Sequence, residues 1–350
     1  MKANLHVLSF SVTLACSLFS VQAAAKETRY NPYPLEIATT DRLVVSLAKG
    51  TVKLIPLAPG KTPSLSAKKV VGDKASAEDL AKFEQLSFVV RRDANVVSIE
   101  TKGPDTKEAW AQWMKAGSPE LVLEIEAPVV PAEIWVREGA VSAQNWKESL
   151  MASVVTGSVK TAQTEGALRV GIQRGEVKIE KHRGPAEVDS YGAKLTASEI
   201  EGDLDLSNFG GESTLTQVKG TIGVRTHAGG LAINKSSGSV DFMTGRGGVQ
   251  LAGFEGPVRG QTDQGNVSAQ IEGEAEVNIE SNQGIVSVKL PSDSGATVRL
   301  QTEEGSLALP EAVRAPASAQ QKVFSSRLEG DGPKGSVQAK SKSGTVRLRF

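Results

Sequence analysis

The sequence predicts an all-β protein, a parallel β-solenoid or β-helix with about 18 residues per coil. Three observations predict it: glycine recurs at intervals of nine residues, a large aliphatic residue stands two positions after most of these glycines, and mostly polar residues separate the apolar ones. Alternation of apolar and polar residues is the period of a β-strand, and a regularly spaced glycine is typical of a turn. Each nine-residue unit is therefore predicted to be one short strand and one turn.

The glycine repeat is regular between residues 139 and 265. Thirteen of the fifteen positions in this register are glycine, whereas 35 glycines in 350 residues predict about one or two by chance. The exceptions are Glu148 and Ala193. The glycines are Gly139, Gly157, Gly166, Gly175, Gly184, Gly202, Gly211, Gly220, Gly229, Gly238, Gly247, Gly256 and Gly265.

Two nine-residue units predict a coil of 18 residues. A single short strand cannot bury its own apolar face, so successive coils are expected to stack in register. Thr226, Thr244 and Thr262 are separated by this same interval. They are predicted to form a ladder with neighbours about 4.8 Å apart, which supports the coil length independently of the glycines.

The repeat and its interruptions predict five segments. These are a signal peptide (1–25), an irregular β region (26–130), the glycine-repeat solenoid (131–309), a loop or insertion (310–332) and closing strands of the solenoid (333–350).

Two short helices are predicted inside the irregular β region. The first covers residues 77–85, with Ser76 as N-cap and Asp79 at the capping-box position. The second covers residues 107–116 and stops at Gly117.

The first residues have the pattern of an export signal. Lys2 gives a positive start, residues 5–18 are mostly apolar, and small residues at 23–25 suit cleavage. The protein is therefore expected outside the cytoplasm, in the periplasm, at the outer surface or secreted. Lipid attachment through Cys16 is disfavoured because Thr13 stands where a lipoprotein signal normally has leucine. No later stretch approaches the roughly 18 to 20 apolar residues of a membrane-spanning helix, so no span is predicted in the mature chain.

Composition argues against several classes of function. The 40 Lys and Arg balance the 40 Asp and Glu, which argues against nucleic-acid binding, and one cysteine excludes disulfide scaffolds and cysteine-rich metal sites. His182 and His227 lie 45 residues apart, so they are predicted not to share a metal and are interpreted as ordinary surface or turn residues. No catalytic residue, metal or cofactor is predicted.

An acidic patch is the sharpest local feature. An 18-residue coil places Glu187 beside Asp205, with Asp189 and Asp203 close by, and this predicts a ligand or cation patch. Carboxyl groups one strand apart approach the separation of a retaining glycosidase pair, and they could also share a hard cation. The simpler interpretation is an exposed, charged strand face. The calcium-binding glycine and aspartate repeat is absent.

The end of the sequence is basic. Residues 322–350 contain seven Lys and Arg against Glu329 and Asp331. This excess is consistent with an anionic surface polymer as partner, or with a solvated basic edge. The basic residues are Lys322, Arg327, Lys334, Lys340, Lys342, Arg347 and Arg349.

Four motifs resemble the bacterial "putative adhesin" family of exported β-solenoid domains. They are Ile200-Glu-Gly-Asp-Leu-Asp-Leu, Val218-Lys-Gly-Thr-Ile-Gly-Val, Thr262-Asp-Gln-Gly-Asn-Val, and Gly330-Asp-Gly followed by Ser341-Lys-Ser-Gly-Thr-Val-Arg-Leu. The resemblance covers roughly residues 121–350. It implies the fold and export, while the family name implies adhesion, and it supplies no catalytic residues.

Together these features predict a non-enzymatic exported module that acts as an adhesin, an envelope scaffold or a ligand-binding module. The expected partner is a cell-surface or envelope polymer or protein. The alternative is an enzyme that acts on polysaccharide through the patch around Glu187 and Asp205. A third possibility is assembly of copies through the ends of the solenoid.

Overall fold

The computed structural model describes residues 26–103, 118–313 and 321–350. Within them, 26 β-strands belong to one hydrogen-bonded sheet, accompanied by one α-helix, α1 (Ala77–Gln85), and one 3-10 helix (Glu311–Val313). The predicted signal peptide with Cys16 and the second predicted helix (107–116) lie outside the described residues.

The strands are β1 (Lys26–Arg29), β2 (Tyr33–Pro34), β3 (Arg42–Pro56), β4 (Ser64–Val71), β5 (Ser87–Asp93), β6 (Val96–Lys102), β7 (Glu120–Ala127), β8 (Ala132–Gln144), β9 (Leu150–Glu165), β10 (Leu168–Arg183), β11 (Ala186–Ser190), β12 (Lys194–Glu201), β13 (Leu204–Asn208), β14 (Ser213–Thr226), β15 (Leu231–Asn234), β16 (Ser237–Thr244), β17 (Val249–Phe254), β18 (Val258–Thr262), β19 (Val267–Ile271), β20 (Ala275–Ser281), β21 (Val286–Lys289), β22 (Thr297–Thr302), β23 (Leu307–Ala308), β24 (Val323–Arg327), β25 (Gly335–Ser341) and β26 (Val346–Arg349).

The strand connectivity corrects the predicted fold class, a parallel β-solenoid or β-helix of 18-residue coils. Strands β10, β11, β13, β14 and β12 pair in that order, and β12 pairs again with β10, so five parallel strands close into a barrel. The closure arises because two of the strands are long enough to pair with two neighbours each. One half of β10 pairs with β11 and its other half with β12. Likewise, one half of β14 pairs with β12 and its other half with β13.

Antiparallel strands lie outside the parallel ones, and the predicted regular coil does not describe them. At one end β4 pairs antiparallel with β1, β2 and β7, and β5 pairs antiparallel with β6. At the other end β24 pairs antiparallel with β22, inside the segment predicted as a loop or insertion (310–332). Phe324 of β24 is only 6% exposed, because this strand lays its apolar side over the core.

Neighbouring parallel strands between residues 132 and 262 are related by a shift of 18 residues. Leu150 pairs with Leu168, Leu168 with Ala186, Ala186 with Leu204, and Leu204 with Ile222. We call a set of residues that pair in register on successive strands a column. All five residues of this column are at most 4% exposed, since strand alternation turns every second residue into the core.

Glycine is required at the corners because successive corners lie too close together for a Cβ atom. A Cβ on Gly229 would stand 1.8 Å from the carbonyl oxygen of Gly211, and one on Gly247 would stand 1.8 Å from that of Gly229. Contacts below about 3.0 Å are not tolerated, so the corner column admits almost no side chain. Ala193 is accommodated as the first member of this run of corners, where it is fully buried.

The predicted threonine ladder is confirmed. Its hydroxyl groups form hydrogen bonds at the same corners. Thr226 pairs with Thr244 and Thr244 with Thr262. The hydroxyls of Thr226 and Thr262 accept hydrogen bonds from the N–H groups of Gly229 (3.3 Å) and Gly265 (3.0 Å). The column continues through Ser190, Asn208, Ser281, Ser341 and Thr302.

At a second type of corner, the bend is made by non-glycine residues whose backbone is in the left-handed conformation. Six non-glycine residues spaced by 18 have φ between 48° and 56°. They are Asn145, Gln163, Lys181, Glu199, Gln217 and Lys235. Because most side chains disfavour this conformation, the repeated strain indicates that stacking of the strands fixes the bend.

The helix α1 has the predicted bounds and the predicted cap. The Ser76 hydroxyl accepts a hydrogen bond from the Asp79 N–H (3.1 Å), and the Asp79 carboxylate accepts one from the Ser76 N–H (3.0 Å). Phe83 is fully buried, so the helix covers the core at this end of the sheet.

Replacing a corner glycine should destabilise the protein strongly. We expect Gly229→Ala to lower the free energy of unfolding by at least about 2 kcal/mol, because the new methyl group meets a backbone oxygen that the next strand holds in place. Gly72→Ala is the matched control, since a Cβ there meets nothing within 4 Å. Urea unfolding of both variants measures the difference, and equal stability would contradict the crowding argument.

Candidate functional site

The structure brings together two of the four residues of the predicted acidic patch. Glu187 of β11 pairs directly with Asp205 of β13. Asp189 lies two residues along the same face of β11, whereas Asp203 lies at the corner before β13. Patch residues therefore occupy both a strand face and a corner.

Contacts of the patch residues are mainly structural. The Arg169 guanidinium donates from Nη2 to Oε1 of Glu187 (2.7 Å), and this carboxylate raises the pKa of Arg169. Oδ1 of Asp203 accepts a hydrogen bond from the Thr221 N–H (2.9 Å). Among the described residues no group of three or more His, Cys, Asp or Glu side chains is arranged to hold a metal ion. Ligand binding at this patch stays a prediction.

A second candidate site is an aromatic ladder, which we define as Tyr191, Phe209 and His227. These three residues are spaced by 18 and follow β11, β13 and β14 at one corner of the sheet. The rings of Tyr191 and Phe209 stack with centroids 4.9 Å apart at 5°, and those of Phe209 and His227 with centroids 4.8 Å apart at 16°. The separation equals the spacing of neighbouring strands, so the backbone register sets the stack.

The ladder is exposed although its rings are ordered by one another. Tyr191 is 64% exposed and Phe209 48% exposed, and His227 is also exposed. The next residue of the column is Gly245, which has no side chain to continue the stack on the imidazole. The result is a preordered apolar strip of ring edges that ends at His227.

An open groove of about 550 Å³ begins next to the aromatic ladder. Glu212 and Gly230, which line it, follow Phe209 and His227 by three residues. Its floor crosses β14, β15, β17, β19, β21 and β26. The floor carries both polar and apolar side chains: Thr214, Gln250, Ser268 and Ser287 alternate with Ala232 and the exposed Ile285. Arg347 and Arg349 line its far end.

Sequence reasoning missed both the ladder and the groove. The interval that identified the threonine ladder would also have identified Tyr191, Phe209 and His227, because they show the same spacing. The groove has a weaker signal, since its small side chains become a feature only when the register places them side by side.

His182 corrects the prediction that both histidines are ordinary surface or turn residues. It is 1% exposed, and its Nδ1 lies 3.0 Å from the hydroxyl of Thr164, the preceding residue of its column. Its Nε2 atom is buried without a hydrogen-bond partner among the described residues. Burial lowers the pKa of His182 below its ordinary value of 6.5, because the charged imidazolium loses its hydration there.

These features define an all-β protein whose parallel strands carry an exposed aromatic ladder beside an open groove. In the part of the chain that the structure describes, no helix combines the length and the apolar character needed to cross a membrane. No family profile matches this sequence, and no curated protein matches it.

A comparison with solved structures matches this chain to several proteins at low sequence identity. An adhesin from Parabacteroides distasonis is 12% identical over 92% of this chain and 97% of its own, with a TM-score of 0.34. A cell adhesion protein from Clostridium sporogenes is 12% identical over 93% and 99%, with a TM-score of 0.21. A lipid binding protein, again from Parabacteroides distasonis, is 9% identical over 93% and 97%, with a TM-score of 0.33. Each of the three names carries the word "putative".

Four of the matching structures are named as an adhesin or a cell adhesion protein, the family that the sequence motifs resemble. With identities of 9–12% and TM-scores of 0.21–0.34, these likenesses do not assign a function to this chain.

The buried histidine predicts a pH-dependent stability. Below pH about 6.5 an unfolded chain protonates His182 before the folded chain does, so the free energy of unfolding should fall as the pH drops from about 6.5 toward the lower folded-state pKa. Above pH about 6.5 both states hold the neutral ring, and this contribution is constant. His182→Ile should flatten the slope between pH 7 and 5.5, as measured by urea unfolding, because it removes the titrating group.

His227→Ala is the matched control for this slope. His227 is exposed, so this variant separates the loss of a buried imidazole from the loss of a histidine as such. An unchanged slope in the His182→Ile variant would show that another group titrates.

The acidic patch gives a separate prediction. Glu187→Gln removes the exposed ion pair with Arg169 and should leave the midpoint of urea unfolding nearly unchanged, because solvent screens such a pair. Calcium should leave the melting temperature of both proteins unchanged if the face is only charged and solvated. A calcium-dependent rise in wild type that Glu187→Gln abolishes would instead establish the predicted cation patch.

Proposed function

We propose that this protein is a non-enzymatic, exported, adhesin-like binding module that holds an extended polysaccharide along the groove and the aromatic ladder. The single observation that carries the proposal is the exposed stack of Tyr191, Phe209 and His227 beside a groove whose floor mixes apolar groups with hydroxyl and amide side chains. Such a pair of surfaces suits a ligand with both apolar faces and many hydroxyl groups.

The aromatic ladder supports binding because it is ordered before any ligand arrives. A stacked aromatic pair gains about 0.5–1.5 kcal/mol beyond area burial, so the rings hold their positions in the free protein. Rigid aromatic rings give contact area at a small cost in conformational entropy. The C–H groups of a sugar ring can lie against such an apolar strip, and the Tyr191 hydroxyl can bond to sugar hydroxyls.

The groove supports a sugar rather than an extended peptide. Peptides commonly bind to sheets by adding a strand to a free edge. The groove crosses the face of the sheet, where the backbone groups of β14, β15, β17, β19 and β21 already pair with neighbouring strands. A ligand therefore meets hydroxyl and amide side chains such as Ser268, Ser287 and Gln250, which match sugar hydroxyls.

The lining of the groove favours binding without cleavage. Glycoside hydrolysis ordinarily uses two carboxyl groups on opposite sides of the bond. Glu212 is the one carboxylate among the described residues that line the groove. At the acidic patch, where Glu187 meets Asp205, the Arg169 guanidinium already holds Glu187. We therefore place binding, and no hydrolysis, at the groove.

We also propose that the protein is exported from the cytoplasm. The predicted signal peptide at residues 1–25 and the resemblance to exported domains support a location in the periplasm, at the outer surface or in the medium. A polysaccharide of the cell envelope or of the surroundings is accessible from each of these.

A glycan array tests the proposed function. Wild-type protein should bind oligosaccharides of several units and leave them intact, and Tyr191→Ala/Phe209→Ala should lower the affinity about tenfold, since it removes two apolar contacts. Met243→Ala is the matched control, because Met243 is 56% exposed but lies outside the ladder and the groove. The proposal fails if no oligosaccharide binds, if the products are shortened, or if the control weakens binding as much as the ladder variant.

A further inference from the structure

The far end of the groove carries a cluster of cations on neighbouring strands. Arg347 and Arg349 are two residues apart on β26, so their side chains leave the same face of the sheet. Arg347 pairs with Ser287 of β21, and Arg349 pairs with Lys289. Three cationic side chains therefore stand on two adjacent strands at this end.

These cations have no carboxylate partner among the described residues, in contrast to Arg169 and Arg183. Arg169 is bonded to Glu187 at 2.7 Å and Arg183 to Glu201 at 2.9 Å, in each case one strand away. The residues that neighbour Arg347 in its column are Ser287 and Ala308, which carry no charge. Arg347 is also half-buried and lines the groove.

The charge of the groove changes sign along its length. Glu212 lines the end next to the aromatic ladder, and the arginines line the other end. From β14 through β15, β17, β19 and β21 to β26 there are five strand spacings, or about 24 Å. The middle of the floor is neutral, with Gln250 and Ser268 between the charged ends.

We propose that the ligand of the groove is an acidic polysaccharide, and that Arg347 and Arg349 hold the carboxylate of a uronic acid unit. This inference rests on the proposed function and names the ligand class. The guanidinium fork matches the planar carboxylate and forms charge-assisted hydrogen bonds. The neutral floor takes the hydroxyl groups of the adjoining sugars, and Glu212 disfavours a second acid group at the opposite end.

Titration calorimetry with two matched oligosaccharides tests the inference. The probes are a galacturonic acid hexamer and the same hexamer with its carboxyl groups reduced to alcohols. Wild-type protein should prefer the acidic hexamer about tenfold or more, and this preference should shrink when the salt concentration rises from 0.05 to about 0.5 M, because exposed charges are then screened. Arg347→Gln/Arg349→Gln should abolish the preference, so that the two hexamers bind with equal affinity.

The control variant is Arg299→Gln. Arg299 is an exposed arginine of β22 that does not line the groove, so its loss should leave the preference intact. Circular dichroism and melting temperature establish that all variants fold. Glu212→Gln should strengthen binding of the acidic hexamer, since it removes the repelling carboxylate.

Separate outcomes identify which idea fails. Equal affinity of wild-type protein for the two hexamers overturns the acidic ligand and leaves a neutral polysaccharide as the occupant, so the proposed function survives. A preference that persists in Arg347→Gln/Arg349→Gln also overturns the assignment of the arginines. If neither hexamer binds, the acidic ligand is overturned, and the glycan array then decides the proposed function by itself.

Discussion

The close approach of successive corners is the constraint on which the rest of the structure depends. The carbonyl oxygen of one corner glycine occupies the space that a Cβ of the next would need, for example between Gly211 and Gly229. Any shift in register would bring a residue with a side chain into that space. Glycine spacing therefore fixes the pairing of the strands before side chains contribute, and the buried aliphatic columns follow from that pairing.

Fixed register explains why the surface features form columns. A residue on one strand has its equivalent about 4.8 Å away on the next strand, so like side chains stack and unlike charges pair. The aromatic ladder of Tyr191, Phe209 and His227, the threonine caps and the ion pair of Arg169 with Glu187 share this origin. The unpaired arginines of β26 differ because no acidic residue stands next to them in the column.

Much of the local structure could be predicted from sequence. Glycine spacing gave the strand register, the alternation gave the core, and Ser76 with Asp79 gave the bounds of α1. The fold class was wrong because a local repeat does not determine how long strands such as β10 and β14 divide between two partners, nor where antiparallel strands join. The burial of His182 was not predicted, because a polar side chain usually lies at the surface. The other residues of its column do face the core. The groove could not be predicted, since small side chains such as Ala232 and Ser268 carry no individual signal.

The corner glycines also limit how this protein can change in length. An insertion must be absorbed before the next corner, as one extra residue is between β18 and β20, where Val258 pairs with Val277 19 positions later. Longer excursions are accepted where they leave and rejoin the sheet in register, as between β20 and β25, whose paired residues Ala275 and Gly335 lie 60 positions apart. Complete repeats would lengthen the groove by one strand spacing at a time, whereas side excursions leave its spacing untouched.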